Sequence, residues 1–342
     1  MIVLFRADGS ASIGAGHIMR CLSLVQAAHD AGHNTVFLME PGAESLKERL
    51  QNEGCDVHEL KSMRGSNEDA LETATLAREC GAMCAVVDGY VFDAPYQQTL
   101  HNEGVCFLLI DDYAQADTYY ASIILNQNSY AQKLESIYRK RSSQSELLLG
   151  SEYVLLRREY REAAQRQNTP EIANEILVTF GGGDTQVMTQ RIIEVLKGID
   201  ESTLNITVLI GGSNPHADKI ESTAQGMHVI RDAQNMPELL ANTELAIAAG
   251  GTTSYELAYM GVPSLLFILA ENQRLIAEDL NTRGIVKSIG KPDQVSDITI
   301  VNAIRELITN VGQRRSMAQI GQQLIDGQGA MRVLERLTSI SQ

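Results

Sequence analysis

Ile2-Val-Leu-Phe5 leading to Gly14-Ala-Gly-His17-Ile-Met-Arg20, and Leu245-Ala-Ile-Ala-Ala249 leading to Gly250-Gly-Thr-Thr-Ser-Tyr-Glu256, are two renderings of one arrangement. In each, a short apolar run passes through glycines into a helical pattern. An apolar run without alternation reads as a strand covered on both faces. A strand that turns into a helix this way aims unpaired backbone N–H groups, and the positive end of the helix dipole, at whatever lies in front. An anion is favoured there. Two such turns in different halves, one with a histidine and one with a glutamate a turn into its helix, predict a ligand gripped from opposite sides in a cleft between two domains.

The rest of the chain repeats the rhythm. Apolar runs at Ile2–Phe5, Thr35–Met39, Ala85–Asp88 and Val105–Ile110 alternate with helical patterns near 17–31, 43–53, 67–80 and 95–103. Strands are expected again near Ile176–Phe180, Ile206–Ile210, His228–Ile230, Leu245–Ala249, Ser264–Ile268 and Val286–Ile289. Alternating β and α in each half predicts an α/β protein of two doubly wound, Rossmann-like domains, at 1–160 and 175–328. The boundary falls in the polar stretch Arg157–Asn174, with arginines at 157, 158, 161 and 166, in which Gln165-Arg-Gln-Asn-Thr-Pro170 reads as the linker. The last helical pattern, within 329–342, is expected to pack back on the first domain.

At 342 residues the chain exceeds one ordinary core, which agrees with two domains. Its formal net charge is −15, and adjacent Lys/Arg residues are few, as at Tyr138-Arg-Lys-Arg141 and Arg157-Arg158. A nucleic-acid groove needs a concentrated basic stripe, so nucleic acid is excluded as a partner. Five cysteines, without zinc-like spacing, read as buried thiols of a reducing compartment. No basic-then-apolar leader opens the sequence and no apolar run reaches the ~18 residues of a membrane span. A cytoplasmic protein without membrane insertion is expected, and nothing in the sequence demands more than a monomer.

His17, at the start of its helix, reads either as a general base, its ordinary pKa of ~6.5 lying near working pH, or as a capping or phosphate-binding residue. Gly14 and Gly16 bring backbone amides to the ligand. Arg20, one turn on, reads as an ion-pair residue or a phosphate contact. Glu256 shares a helix face with Thr252. It is placed to take both hydroxyls of a ribose while Gly251, Thr252 and Thr253 hold a diphosphate; ordinary capping is the alternative. Asn272 follows the Ser264–Ile268 run, at the strand edge where α/β sheets bind ligands; it holds a sugar hydroxyl or caps the next helix. Gly182, in Gly181-Gly-Gly-Asp184, is expected to approach the ligand from the second domain. That run is not G-x-G-x-x-G, so NAD is not implied, and no cofactor is. Tyr90, in Asp88-Gly-Tyr90, reads as a sugar contact or as packing. Asp111-Asp112 lacks a third oxygen ligand nearby, so a turn cap is the expectation over a metal site.

Phe5-Arg-Ala-Asp-Gly9, Gly14–Arg20, Asp88-Gly-Tyr90, Phe180-Gly-Gly-Gly-Asp184, Ala249–Glu256 and Glu271-Asn-Gln273, in that order, resemble the UDP-sugar hydrolases of pseudaminic acid biosynthesis, also met as spore-coat polysaccharide proteins. That family is similar to GT-B glycosyltransferases, including the lipid II synthase that adds N-acetylglucosamine. The resemblance covers essentially the whole chain. It implies a GT-B-like fold and hydrolysis of UDP-2,4-diacetamido-2,4,6-trideoxy-β-L-altrose with inversion, C–O cleavage and no metal. It likens His17 to the family's base, Tyr90 to its sugar-side tyrosine, Glu256 to its ribose-binding glutamate and Asn272 to its active-site asparagine. The chain departs from the family at the triple glycine 181–183 and the threonine pair 252–253. The rivals are a GT-B glycosyltransferase, a hydrolysing N-acetylglucosamine epimerase, and a non-catalytic nucleotide-sugar sensor.

Overall fold

The computed structural model describes residues 1–10, 14–142, 144–181, 187–199, 204–211, 214, 216–233 and 235–340. They form two compact units: Met1–Arg161 with Gly327–Gln342, and Glu162–Asp326.

In the first unit seven strands run parallel: β1 (Ile2–Ala7), β2 (Asn34–Met39), β3 (Asp56–Glu59), β4 (Cys84–Asp88), β5 (Phe107–Ile110), β6 (Ile123–Asn126) and β7 (Glu146–Leu149). Their order is β3-β2-β1-β4-β5-β6-β7. The chain works outward from β1 to one edge, returns to β4 and works outward to the other, so the topology reverses between β1 and β4. In a doubly wound sheet that reversal leaves a crevice at the carboxyl ends of the two strands, where ligands bind.

The second unit repeats the plan with β8 (Glu175–Thr179), β9 (Asn205–Ile210), β10 (His228–Arg231), β11 (Leu245–Ala249), β12 (Ser264–Phe267) and β13 (Lys287–Ser288). All pairs are parallel, in the order β10-β9-β8-β11-β12-β13, with the reversal between β8 and β11.

The period of two along β1 supplies both faces of its sheet. Val3 and Phe5 join one core with Leu22 and Val25 of the helix Gly16–Asp30. Leu4 joins the other with Val87, Tyr96 and Leu100. The helix Gly329–Ser339 buries Ala330, Val333, Leu334 and Leu337, an i, i+3, i+4, i+7 stripe, in the same core as Leu22 and Val25. The second unit closes over Ile176, Val178, Ile247 and Leu265, covered by Ile192 on one helix and Ile300 and Ile304 on another.

Strand edges and helix ends fall within two residues of expectation at most places, with three additions and one correction. β3, β6 and β7 were not expected from the sequence. Asp56-Val-His-Glu59 is an outer strand of mostly polar residues, and Ile123–Asn126 and Glu146–Leu149 are four-residue runs too short for periodicity to tell strand from helix. The expected strand Val286–Ile289 pairs only over Lys287–Ser288. The boundary stretch Arg157–Asn174 is divided between the two units. Arg158 pairs with Asp30 and Glu53, and Arg161 with Asp30, which ties this stretch to the first unit. Arg166 donates instead to the Ala241 carbonyl of the second. Among the described residues no helix is long and apolar enough to cross a membrane.

Candidate active site

The reversal between β1 and β4 gathers the first unit's chemistry. Asp8 follows β1, His17 sits one residue into the helix Gly16–Asp30, and Asp88, Gly89 and Tyr90 leave β4. Together with Arg64 they line a cavity of about 300 Å³. The turn before the helix has Gly14 at φ +82°, in the left-handed region that favours glycine, with its N–H on the Ser10 carbonyl at 2.7 Å. The N-cap, Ala15, makes no side-chain capping bond, and Gly16 is the first helical residue.

His17 Nδ1 lies 2.8 Å from Asp88 Oδ1. An ionised carboxylate only accepts, so the proton sits on Nδ1. Nε2 has no hydrogen-bond partner among the described residues, and the imidazole side chain is 12% exposed at the cavity wall. The Tyr90 ring meets the imidazole edge-on, with centroids 4.9 Å apart, and the Tyr90 hydroxyl donates to Asp112 Oδ2 at 2.9 Å.

Arg20 does not line the cavity. It is buried, its Nε and Nη2 donate to Asp88 at 2.8 and 2.6 Å, and its Nη1 donates to Asp112 at 2.8 Å. The ion-pair reading of Arg20 is therefore what the geometry displays, and its guanidinium is spent on carboxylates rather than presented to a phosphate. Burial by itself pushes the Asp88 carboxyl up, but the Arg20 charge and then His17 outweigh it and hold it at about 2. Asp112 is likewise pulled below the usual carboxylate range by Arg20 against the effect of burial. Asp111 goes the other way, raised by burial. Its oxygens accept from the N–H groups of Tyr113 and Ala114 and from the hydroxyls of Tyr119 and Tyr138, so it caps the turn as expected.

From the sequence Asp8 and Asp88 stood only within the motifs Phe5–Gly9 and Asp88–Tyr90, without a role of their own, and Arg64 was not singled out. The signal for the two aspartates, a weak one, was their place: each lies at the carboxyl end of an apolar strand next to the reversal. Asp8 accepts from Arg6 Nη1 at 2.6 Å and from the Glu40 N–H at 2.7 Å. Arg64 is held by Glu40 at 3.5 Å.

In the second unit, β11 runs through Gly250 and Gly251 into the helix Thr253–Met260. A Cβ on Gly250 would meet Ala277 Cβ at 2.9 Å, so only glycine lets the helix Glu271–Thr282 come this close. Thr252 is the N-cap, without a side-chain capping bond, Thr253 opens the helix, and Glu256 lies in its first turn, half-buried. The buried Ser254 hydroxyl has no partner among the described residues. Asn272 is the second residue of the helix Glu271–Thr282, whose cap position is Ala270, so Asn272 does not cap it. Beside it, Gln273 fixes the approach by accepting from the Leu269 N–H at 2.9 Å. Gly251, Thr252, Thr253 and Glu256 thus stand at the reversal of the second sheet, and Asn272 follows the neighbouring β12. Gly182 lies outside the described residues.

Two parallel, doubly wound units, each with a glycine turn at its topological reversal, are the GT-B fold of glycosyltransferases. Residues 175–326 match the glycosyltransferase family 28 C-terminal domain. The crystal structure of Acinetobacter baumannii MurG superposes with a TM-score of 0.66 over 99% of each chain, at 16% identity. The Bacillus subtilis spore coat polysaccharide biosynthesis protein SpsG is 28% identical over 54% of this chain and 56% of its own length. The UDP-2,4-diacetamido-2,4,6-trideoxy-β-L-altropyranose hydrolase of Campylobacter jejuni is 26% identical over 83% of this chain and 97% of its own. The chain thus spans about half of the first relative and nearly all of the second, and the resemblance read from the motifs holds.

Proposed function

We propose that the protein hydrolyses a UDP-linked diacetamido-trideoxy sugar, UDP-2,4-diacetamido-2,4,6-trideoxy-β-L-altrose, to UDP and the free sugar. The observation that carries this reading is His17, hydrogen-bonded at Nδ1 and directing Nε2 away from Asp88, in a cavity at the sheet reversal. The similarity to the Campylobacter hydrolase supports the choice of substrate.

In this reading the first unit handles the sugar and the water, with His17 Nε2 as base and Tyr90 beside it. The second unit holds the nucleotide: Gly251, Thr252 and Thr253 take the diphosphate on backbone amides and hydroxyls, Glu256 takes the ribose, and Asn272 a sugar hydroxyl. Water attacks the anomeric carbon on the face opposite the diphosphate, passing a proton to His17. The anomeric C–O bond breaks with its electrons going to the UDP oxygen, and the configuration inverts. UDP leaves as an anion whose charge is spread and held by amides, so the acid that ordinary glycosidases use on a poor leaving group is not required. The Asp111-Asp112 carboxylates are engaged by tyrosines, amides, Arg20 and Asn128, which supports a step that uses no metal.

A second reading, a glycosyltransferase, is favoured by the family 28 match over residues 175–326. One experiment separates the two. The protein is incubated with the UDP-sugar in ¹⁸O-water with EDTA, and the products are examined by mass spectrometry and NMR. Label in the sugar and none in UDP is the expected result. Substrate bound but not turned over until an alcohol acceptor is added would replace hydrolysis by transfer.

A further inference from the structure

His17 and Arg20 lie one helical turn apart and face the end of β4 together. Their side chains converge on the wholly buried Asp88, whose Oδ1 accepts from both and whose Oδ2 accepts from Arg20 Nε. Arg20 continues to Asp112, which also takes the Asn128 amide at 3.0 Å and the Tyr90 hydroxyl. The chain His17–Asp88–Arg20–Asp112–Tyr90 therefore begins and ends on the two aromatic residues that meet edge-on in the cavity wall. A buried carboxylate–arginine–carboxylate cluster is a poor device for stability alone, since apolar residues of similar volume often serve as well or better.

Resting on the reading of His17 as base, we propose that Asp88 and Arg20 are positioning residues. Asp88 fixes the tautomer with Nε2 bare, and Arg20 keeps Asp88 an acceptor so that the proton taken from water stays on the imidazole. The same cluster sets Tyr90. Its hydroxyl proton goes to Asp112.

The charges around the imidazole decide the sign of the test. Asp88 faces it from β4, Arg20 Nη2 from its own helix at 3.4 Å, Tyr90 from beyond β4, and Asp8 and Arg64 from the cavity wall. Asp88→Asn removes the nearest anion, and Arg20→Met the nearest cation. The two variants are expected to displace the acidic limb of the kcat/KM profile in opposite directions, Asp88→Asn to lower pH and Arg20→Met to higher pH, each by about one unit. Asp88→Asn should also lose about 10²–10⁴-fold in kcat, with KM little changed. Arg20→Lys should restore the limb of Arg20→Met toward the native position.

Thermal melts and UDP binding establish that each variant is folded. The ¹⁵N-histidine spectrum of the unmodified protein reads the tautomer without any variant, and an unprotonated Nδ1 on His17 would overturn the proposal. So would folded variants whose acidic limbs do not move while His17→Ala is inactive. If His17→Ala keeps its turnover, the reading of His17 itself falls.

Discussion

Arg6 and Asp69 stand 63 residues apart in sequence and meet in a wholly buried two-pronged ion pair, Nε to Oδ1 and Nη2 to Oδ2 each at 2.8 Å. The third prong, Nη1, reaches Asp8 at 2.6 Å, and the guanidinium lies over the Phe92 ring at 5.0 Å. Asp69 also accepts from the Gly65 N–H at 2.8 Å, next to Arg64. One buried arginine thus fixes both Asp8 and the loop bearing Arg64, which line the cavity. Removing one partner of such a pair strands the other without compensation, which costs about 3–5 kcal/mol. Asp69→Ala is expected to lower the urea midpoint accordingly; a loss below about 1 kcal/mol would mean that water replaces the carboxylate.

Substrate handling should divide between the two units. His17→Ala is expected to lower kcat about 10²–10⁴-fold while UDP affinity stays within a factor of two or three. Glu256→Ala should instead weaken UDP binding, by about 1.5–3 kcal/mol if the carboxylate accepts both ribose hydroxyls. Calorimetric titration with UDP alone checks the pair, and equal effects of both changes on UDP affinity would contradict this division.

Acid should loosen the first unit through Asp88. Its folded carboxyl ionises at about 2, below the ordinary ~3.9 of an unfolded aspartate. Its contribution, on the order of 2 kcal/mol, is present above about pH 4 and lost as pH falls toward 2. Asp112, lowered in the same direction, adds to this, whereas Asp111, raised by burial, opposes it. The melting temperature of the unmodified protein should fall more steeply from pH 5 to 2 than that of Asp88→Asn, as followed by circular dichroism. Parallel curves would place the acid sensitivity elsewhere.

The closing helix is part of the first unit's core. Leu337 is 1% exposed and shares a cluster with Leu22 and Val25. Leu337→Ala should cost about 2–5 kcal/mol, from lost apolar burial and the cavity it leaves. Limited proteolysis should then release the C-terminal segment first. Unchanged resistance to protease would show that the helix contributes little to the stability of this unit.

Most of the fold was legible because it is written locally. Apolar runs such as Leu245–Ala249 and patterns such as Asn67–Cys80 carry their own periodicity, and glycines mark where strand becomes helix. Of the candidate residues, His17 and Glu256 were legible from their places just past the two glycine turns. Aspartates are common at strand ends, so Asp8 and Asp88 gave no comparable contrast. The outer strand Asp56–Glu59 was hidden for a related reason, since a mostly polar run has no apolar signature.

By itself the sequence determined the alternation of strands and helices, the two glycine turns and the histidine at the first of them. Each depends on neighbours within a few residues, through backbone preference and burial period. The tertiary structure alone decided which carboxylates meet that histidine and its neighbour Arg20. Asp88 and Asp112 lie 68 and 92 residues from Arg20, and they reach it because strand order puts β1, β4 and β5 side by side. No local pattern encodes that adjacency. It arises when the sheet assembles, and burial at the strand ends then makes each charge depend on the next.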